Sequence, residues 1–552
     1  MTTPSYTEDL TDIATGDESS GWTDFSTNDQ GSPSYQDNEY PYIQGSYAIT
    51  QTCSKSKTVA NLCYDYGSDT NVGTDEAIFV WQYFASPFSM DDYAGTTTGQ
   101  AGMCVLMGNS TSNFDIWEVG GQDIPPNPYG GFTCHAVCPS VTADDISNGP
   151  RTSEQFIGAQ INLTAYPSKG EPHSVDCMRF GRGSAIFEYG ETSDYCTIAG
   201  FAAQNDSQSN RWGLIQEVSG GYLWQGRMQL GTVSNAVDFR DSDVTIFIKW
   251  NPKVTANFNT IEVINASSRV DMAGFVFQVL DTSTASLGRW ITTNDADINL
   301  TTCTFLDMAT FLFDSNTTAL DCIWKRCGQI DPGGGDLSFL NVLESSVTGG
   351  GSVGGGALYW NDSADPNTYT NGGTFTKGAG SHHAIEFGTS APTTINLTDM
   401  TFIDFSTSNQ QATSVLYFPD TGSNVTWTVA HTGTTGTISY YKARSGDTVT
   451  ISSSVGVSVD VVDADGNDID GAQVGMYKTS DRTEIMNEAT VSGNASENYT
   501  GATPVQVEVR VRKASSGDDP RYINYSSIQT IGAGGLTLTV TLGEDPNNNA
   551  TT

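Results

Sequence analysis

The sequence predicts an all-β chain in three parts: an N-terminal β-sandwich-like region, a central right-handed parallel β-helix and a C-terminal immunoglobulin-like β-sandwich. Three observations predict it. Short runs rich in Val, Ile, Phe, Tyr and Trp recur along the chain, bounded by Gly, Asn, Asp, Ser and Pro, and 58 glycines imply many tight turns. The phrase Ile298–Met308 returns at Ile395–Phe405, both reading INLTxxTFxDx, as a stacked repeat would. Long apolar patterns of helical period are hard to find.

Residues 1–45 are rich in Ser, Asp, Asn, Tyr and Pro without apolar periodicity, and read as an extended N-terminal arm, a tether or a segment ordered by a neighbour. Residues 46–204 carry strand-like runs such as Ala77–Phe84 and Gly102–Met107, which suit a β-sandwich. Between them and the next runs, Phe114–Asp123 leads into the loop Pro125–Gly131. Flat rings stack on sugar faces while Asp and Gln bind hydroxyls, so this stretch is a candidate carbohydrate platform as well as an ordinary turn. It resembles concanavalin-like lectin sandwiches, a resemblance that transfers no binding residues.

Residues 205–440 hold the repeat. A weaker copy, Asp321–Cys327, follows one short period after Thr302–Met308, and short runs at Val244–Ile248, Thr260–Ile264, Gly274–Leu280 and Ala384–Phe387 each fit one face of a coil. Polar turns between them let the chain bend and bury an apolar column along the axis. An irregular pair of sandwiches is the competing arrangement. The glycine run Gly349–Gly356 reads as a linker in isolation, and inside a coil array as a loop or a close contact. Residues 441–552 change character: Val457–Val462 alternates as a strand, turns through Asp463–Asp468 and continues to Val474, and further strands are expected at Val505–Val511 and Leu536–Leu542. The DADGND string matches the start of a calcium loop but has neither flanking helices nor a glutamate at the twelfth position, so a hairpin turn is expected.

A formal charge of −39 and a pI near 4.1 make the average surface repel phosphate backbones and anionic membranes, which argues against nucleic acid as a partner. The first residues offer neither a basic nor an apolar signal segment, and no window approaches the roughly 18 apolar residues of a membrane helix. The expectation is a soluble product of the cytoplasm with no membrane insertion. Its ten cysteines are then expected to be reduced, small core residues. Cys134, His135 and Cys138 cluster, but no second ligand pair stands nearby at zinc-like spacing, so neither a metal nor a cofactor is expected.

Catalysis finds few candidates. Asp238, Asp241 and Asp243 alternate, and in a strand Asp241 and Asp243 would share a face, as the two carboxylates of a glycosidase require. Turns full of Asp are equally expected in any acidic coil. Five histidines and no nucleophile motif support no hydrolase triad, and His382-His383 reads as a solvated turn. No residue is therefore assigned a catalytic, cofactor-binding or metal-binding role.

The strand-turn-strand at 457–476 resembles carboxypeptidase-regulatory-like and immunoglobulin-like modules, and Val509–Ser515 together with Leu542–Pro546 is similar to the tails of tailed-bacteriophage proteins in which such a module follows β-helical coils. The resemblance implies a non-enzymatic virion surface protein, a spike, fibre or decoration, made in the host cytoplasm. Its partners would be other virion proteins, a host-surface glycan and two further copies in a homotrimer. It brings no catalytic residues. Two other functions stay open: a β-helical polysaccharide depolymerase, and a cellular adhesin or lectin.

Overall fold

The computed structural model describes residues 3–18, 20–25, 34–36, 42–43, 45–53, 58–86, 89–93, 102–122, 132–167, 171–189, 194–207, 213–249, 251–255, 257–280, 288–292, 295–338, 342–345, 355–366, 372–378, 380–419, 422–500, 504–514, 521–532 and 535–546. The loop Pro125–Gly131 and most of the run Gly349–Gly356 lie outside them. The chain is all-β, with one helix, Ile198–Ser207, among the described residues. No helix there is long and apolar enough to cross a membrane. Two compact units divide it, residues 1–359 with 378–382, and residues 360–377 with 383–552.

The first unit begins with a sandwich. One sheet has the order Asp145–Ser147, Asn113–Gly120, Met103–Ser110, Phe156–Asn162, Val59–Asp65 and Trp22–Thr23, with antiparallel neighbours. The facing sheet is organised by one long strand, Glu171–Glu188, against which Ala48–Cys53, Ala77–Phe84 and Ser5–Ala14 pair antiparallel. Ile49, Ile78, Val80 and Val175 from this sheet meet Val105, Met107, Trp117 and Ile161 from the other in a single apolar core. The outer side of the six-stranded sheet buries a smaller cluster of Phe25, Cys63, Cys104, Leu106, Phe114 and Ile116. Here the cysteines act as small apolar side chains, and all ten in the chain are buried and outside any disulfide. Ser5–Ala14, within the arm, is a strand held by the chain's own Glu171–Glu188.

The long strand also begins the coil. Its residues Ser184–Phe187 pair parallel with Arg227–Leu230, which pairs parallel with Thr260–Val263, and that with Arg289–Thr292 and Phe311–Leu312. Two more faces stack in the same way. Asp238–Ser242, Arg269–Ala273, Asp297–Thr301 and Thr317–Leu320 form one; Gly221–Trp224, Thr245–Ile248, Val276–Val279, Thr304–Leu306 and Ile323–Cys327 form the other. This is a three-faced parallel β-helix. Within the second unit Thr394–Thr398, Thr426–Thr432 and Thr448–Ser453 stack parallel, as do Thr374–Lys377, Thr401–Ile403 and Thr435–Gly436, and His383–Phe387, Leu416–Phe418 and Tyr441–Ala443.

The repeated phrase is the corner of a coil. In Ile298–Met308, Ile298, Leu300 and Phe305 point inward and are at most 1% exposed, and Ile395, Leu397 and Phe402 do the same in the second copy. Between the two strands of each corner one residue turns the chain in the left-handed region: Asp243 at φ 57°, Gly274 at 65°, Thr302 at 53°, Asp321 at 55°, Asp399 at 54° and Gly433 at 65°. Asp tolerates that region because its short polar side chain bonds locally, whereas a β-branched residue is strained there. Thr302→Gly is therefore expected to raise stability by about 1 kcal/mol, read as a higher urea midpoint at unchanged denaturant dependence. Behind the corners the register places like on like: Phe277, Phe305 and Trp324 stack in sequence at 5.5 and 5.3 Å, and Phe375 on Phe402 at 5.3 Å. Each such contact adds about 0.5–1.5 kcal/mol beyond the buried area.

The second unit ends in a seven-stranded sandwich. Asn494–Tyr499, Val455–Val462 and Leu536–Thr541 form one sheet; Glu484–Ala489, Gln473–Lys478, Val505–Arg512 and Tyr525–Ile531 form the other. Val457, Val459 and Val461 pack against Val474, Met476, Val507 and Val509 between them. The DADGND segment is a turn closed on itself. The Asp463 carboxylate accepts the backbone N–H groups of Asp465 and Asn467, and Gly466 supplies φ 85°.

Candidate functional site

The carboxylates at 238–243 do not assemble as the alternation suggested. The strand ends at Ser242 and Asp243 is the left-handed corner, so Asp241 and Asp243 share no strand face. Asp241 accepts the backbone N–H of Ile198, at the start of the helix, at 3.0 Å and that of Ser242 at 2.9 Å. Burial raises its pKa, opposed by those two hydrogen bonds. It is a capping residue for Ile198–Ser207.

The outward residues of the same face form an ordered polar surface. Parallel register sets Asp238, Arg269 and Asp297 in one column, Arg240, Asp271 and Asn299 in the next, and Ser242, Ala273 and Thr301 in a third. Opposite charges therefore neighbour one another both along the strands and between coils. Arg240 donates to both oxygens of Asp238 at 2.7 Å, Arg269 pairs with Asp271 at 2.6 Å, and Asn299 donates to Asp271 and Asp297 at 2.9 and 3.0 Å. Side-chain hydrogen bonding to the carboxylates raises the pKa of both arginines. Tyr195, 43% exposed, stands beside them with the Arg240 guanidinium 5.7 Å from its ring centroid. Tyr195, Thr197, Arg240, Asp241, Arg269, Asp271 and Asn299 line an open cleft of ≈ 760 Å³.

Chemically this face offers a ring, guanidinium donors and carboxylate acceptors at fixed spacing, which suits hydroxyl-rich ligands. Polysaccharide cleavage needs two carboxyl groups flanking an open space, one of them protonated. Of the two carboxylates that line the cleft, Asp271 has Arg240 on one side and Asn299 on the other, and Asp241 is engaged by the backbone N–H groups of Ile198 and Ser242. The alternation missed this face, yet a signal existed: Asp238-Phe239-Arg240, Arg269-Val270-Asp271 and Asp297-Ile298-Asn299 share one polar-apolar-polar pattern at successive coils.

The other candidates are core. Cys134 and His135 lie in the strand Thr133–Val137 and are buried, as is Cys138. Lys249 donates to the Cys134 carbonyl, and burial followed by the charge of Lys249 pushes the His135 pKa well down. A cation beside a would-be ligand opposes metal binding, and no cluster of metal-ligating residues occurs among the described residues. His382-His383 is not a solvated turn. His383 is 0% exposed in a strand, bonds the Ser414 carbonyl through Nδ1 at 2.6 Å and stacks on Tyr417 at 4.7 Å, while His382 is 7% exposed. The aromatic partner comes from the strand Leu416–Phe418, stacked on His383–Phe387 but distant in sequence, and was invisible to a local reading.

No protein-family model matches the chain, and no curated protein matches it.

Proposed function

We propose that the chain is a non-enzymatic structural component of a tailed-phage virion, a surface spike, fibre or decoration that contributes to host-surface attachment. The observation that carries this reading is the stack of parallel coils sealed by buried aromatics, with its polar ladder and open cleft turned outward. Such a coil is built one rung on the next, resists proteases because its backbone is hydrogen-bonded on both sides, and is a stiff mount for modules at its ends. The resemblance of the C-terminal sandwich to modules that follow β-helical coils in phage proteins supports the same reading, with right-handed winding, a homotrimer and other virion proteins as neighbours. Of the cleft's carboxylates, Asp271 is paired with Arg269 and Asp241 caps the helix, which favours binding over cleavage.

The test is gold labelling of purified virions with antibody against this chain. Label at the tail tip, collar or capsid is the expected result, and virions from which the chain is absent overturn the proposal.

A further inference from the structure

We propose that the outer face of the four-stranded sheet in the C-terminal sandwich is a binding site for a carboxylated saccharide, a uronate-type sugar unit. The proposal goes beyond virion attachment, because it assigns a ligand class to a second site on a different module.

The site is built around a missing side chain. Gly475 faces outward in the middle of the sheet, in register with Asn487 on one side and Arg510 on the other. Gln473 and Arg512 stand across from each other in the neighbouring row. The result is a depression of ≈ 320 Å³ walled by Gln473, Tyr477, Asn487, Arg510 and Arg512, a size at the small end of ligand sites, which begin at about 300 Å³. The Tyr477 ring leans over the glycine: a Cβ built on Gly475 would lie 2.9 Å from Tyr477 Cε2 and 3.1 Å from its hydroxyl. Glycine at 475 is thus what allows the ring to take this position.

Charge then selects the ligand. Arg510 is held by Glu508 at 3.0 Å and lies 6.0 Å from the Tyr477 ring centroid. Arg512 is exposed and makes neither an ion pair nor a side-chain hydrogen bond among the described residues. An unneutralised guanidinium is unusual in a chain of net charge −39. Lys478, Arg482, Arg510, Arg512, Lys513 and Arg521, six of the 24 cations, fall within this sheet and its connections. A guanidinium fork matches a carboxylate in two parallel hydrogen bonds.

The amides complete the match. Gln473 Nε2 donates to Asn487 Oδ1 at 2.9 Å and Asn487 Nδ2 donates to Glu484 at 3.2 Å, so the Gln473 carbonyl is the amide acceptor offered to a ligand hydroxyl, and exposed Asn524 stands at the rim. A ring face, hydroxyl-matching amides and one free guanidinium describe an acidic sugar better than an acidic peptide, which uses only the charge. A long polyanion such as nucleic acid is repelled by the surrounding surface.

The experiment titrates the full chain by calorimetry with trigalacturonate, a neutral galactose trisaccharide and a hexaglutamate peptide. Trigalacturonate is expected to bind at least about tenfold more tightly than either competitor, and Arg512→Gln is expected to weaken it by about 10- to 100-fold. Gly475→Ala, which displaces Tyr477, is expected to weaken it as well. No binding of trigalacturonate, unchanged binding in Arg512→Gln, or hexaglutamate binding as tightly as the sugar acid overturns the proposal. Arg512 is solvent-exposed, so its variant folds normally and keeps the test decisive. The virion reading is judged by labelling alone and survives either outcome.

Discussion

Replacing Trp324 with alanine is expected to destabilise the first unit by about 3–5 kcal/mol. Trp324 is 0% exposed, stacked on Phe305 at 5.3 Å and meeting Phe311 edge-on at 6.1 Å. Its strand is pinned to the coil beside it by the register Thr304 to Ile323 and by the bond from Ile323 N–H to the Cys303 carbonyl. The hole left by the indole cannot close, because closing it would require two hydrogen-bonded rungs to approach below their fixed spacing. Trp324→Phe keeps the stack and is expected to cost less than half as much. Urea unfolding of both variants measures this, and a loss below about 1 kcal/mol for alanine would show that the aromatic column fills space without bearing stability.

The second large effect is on acid tolerance. His173 lies in the long strand, is 0% exposed, and neither ring nitrogen has a hydrogen-bond partner among the described residues. Burial pushes its pKa down from 6.5 to about 3. The unfolded chain therefore takes up a proton below about pH 6.5 that the folded chain refuses until about pH 3. The stabilisation from keeping His173 neutral is complete above the upper limit and is lost as pH falls, by about 1.4 kcal/mol per pH unit and roughly 4–5 kcal/mol in all. His135 acts in the same direction in the same unit, and in the second unit burial pushes His383 down to about 4. Unfolding midpoints measured between about pH 7 and pH 4 should fall, and His173→Met should flatten the decline by one proton's worth. An equal slope in wild type and variant would mean that His173 titrates normally in the folded chain.

Much of the coil was legible in the sequence because its corner is a local structure. Ile, Leu and Phe of INLTxxTFxDx alternate inward within one short stretch, so period and burial coincide. The sandwich strand Val455–Val462 was legible for the same reason, with Val457, Val459 and Val461 on one face. The strand Glu171–Glu188 was not. Its middle reads Phe180-Gly181-Arg182-Gly183, a turn by composition, yet the strand runs through it with Gly181 at φ 147° and Gly183 at 67°. Gly183 is required there by a partner distant in sequence: a Cβ would lie 2.3 Å from Phe79 Cζ. The cleft face escaped for a related reason. Its columns are neighbours only after stacking, so Asp238, Arg269 and Asp297 meet although no local window contains them. Within Asp238–Asp243 the alternation failed because a left-handed residue resets which face the next side chains take.

The strand Glu171–Glu188 has a mechanical consequence. One end of it is bonded into the sandwich and the other forms a rung of the coil, so a pull or twist on the sandwich passes into the coil along a single uninterrupted backbone. The path runs through Gly181 and Gly183, where Ser5–Ala14 pairs along the same strand on both sides of the two glycines. Load would reach the ladder of Ser184–Phe187 against Arg227–Leu230 as shear across several hydrogen bonds at once, the geometry in which a sheet yields last, and a body fixed at the sandwich would steer the first coils with it.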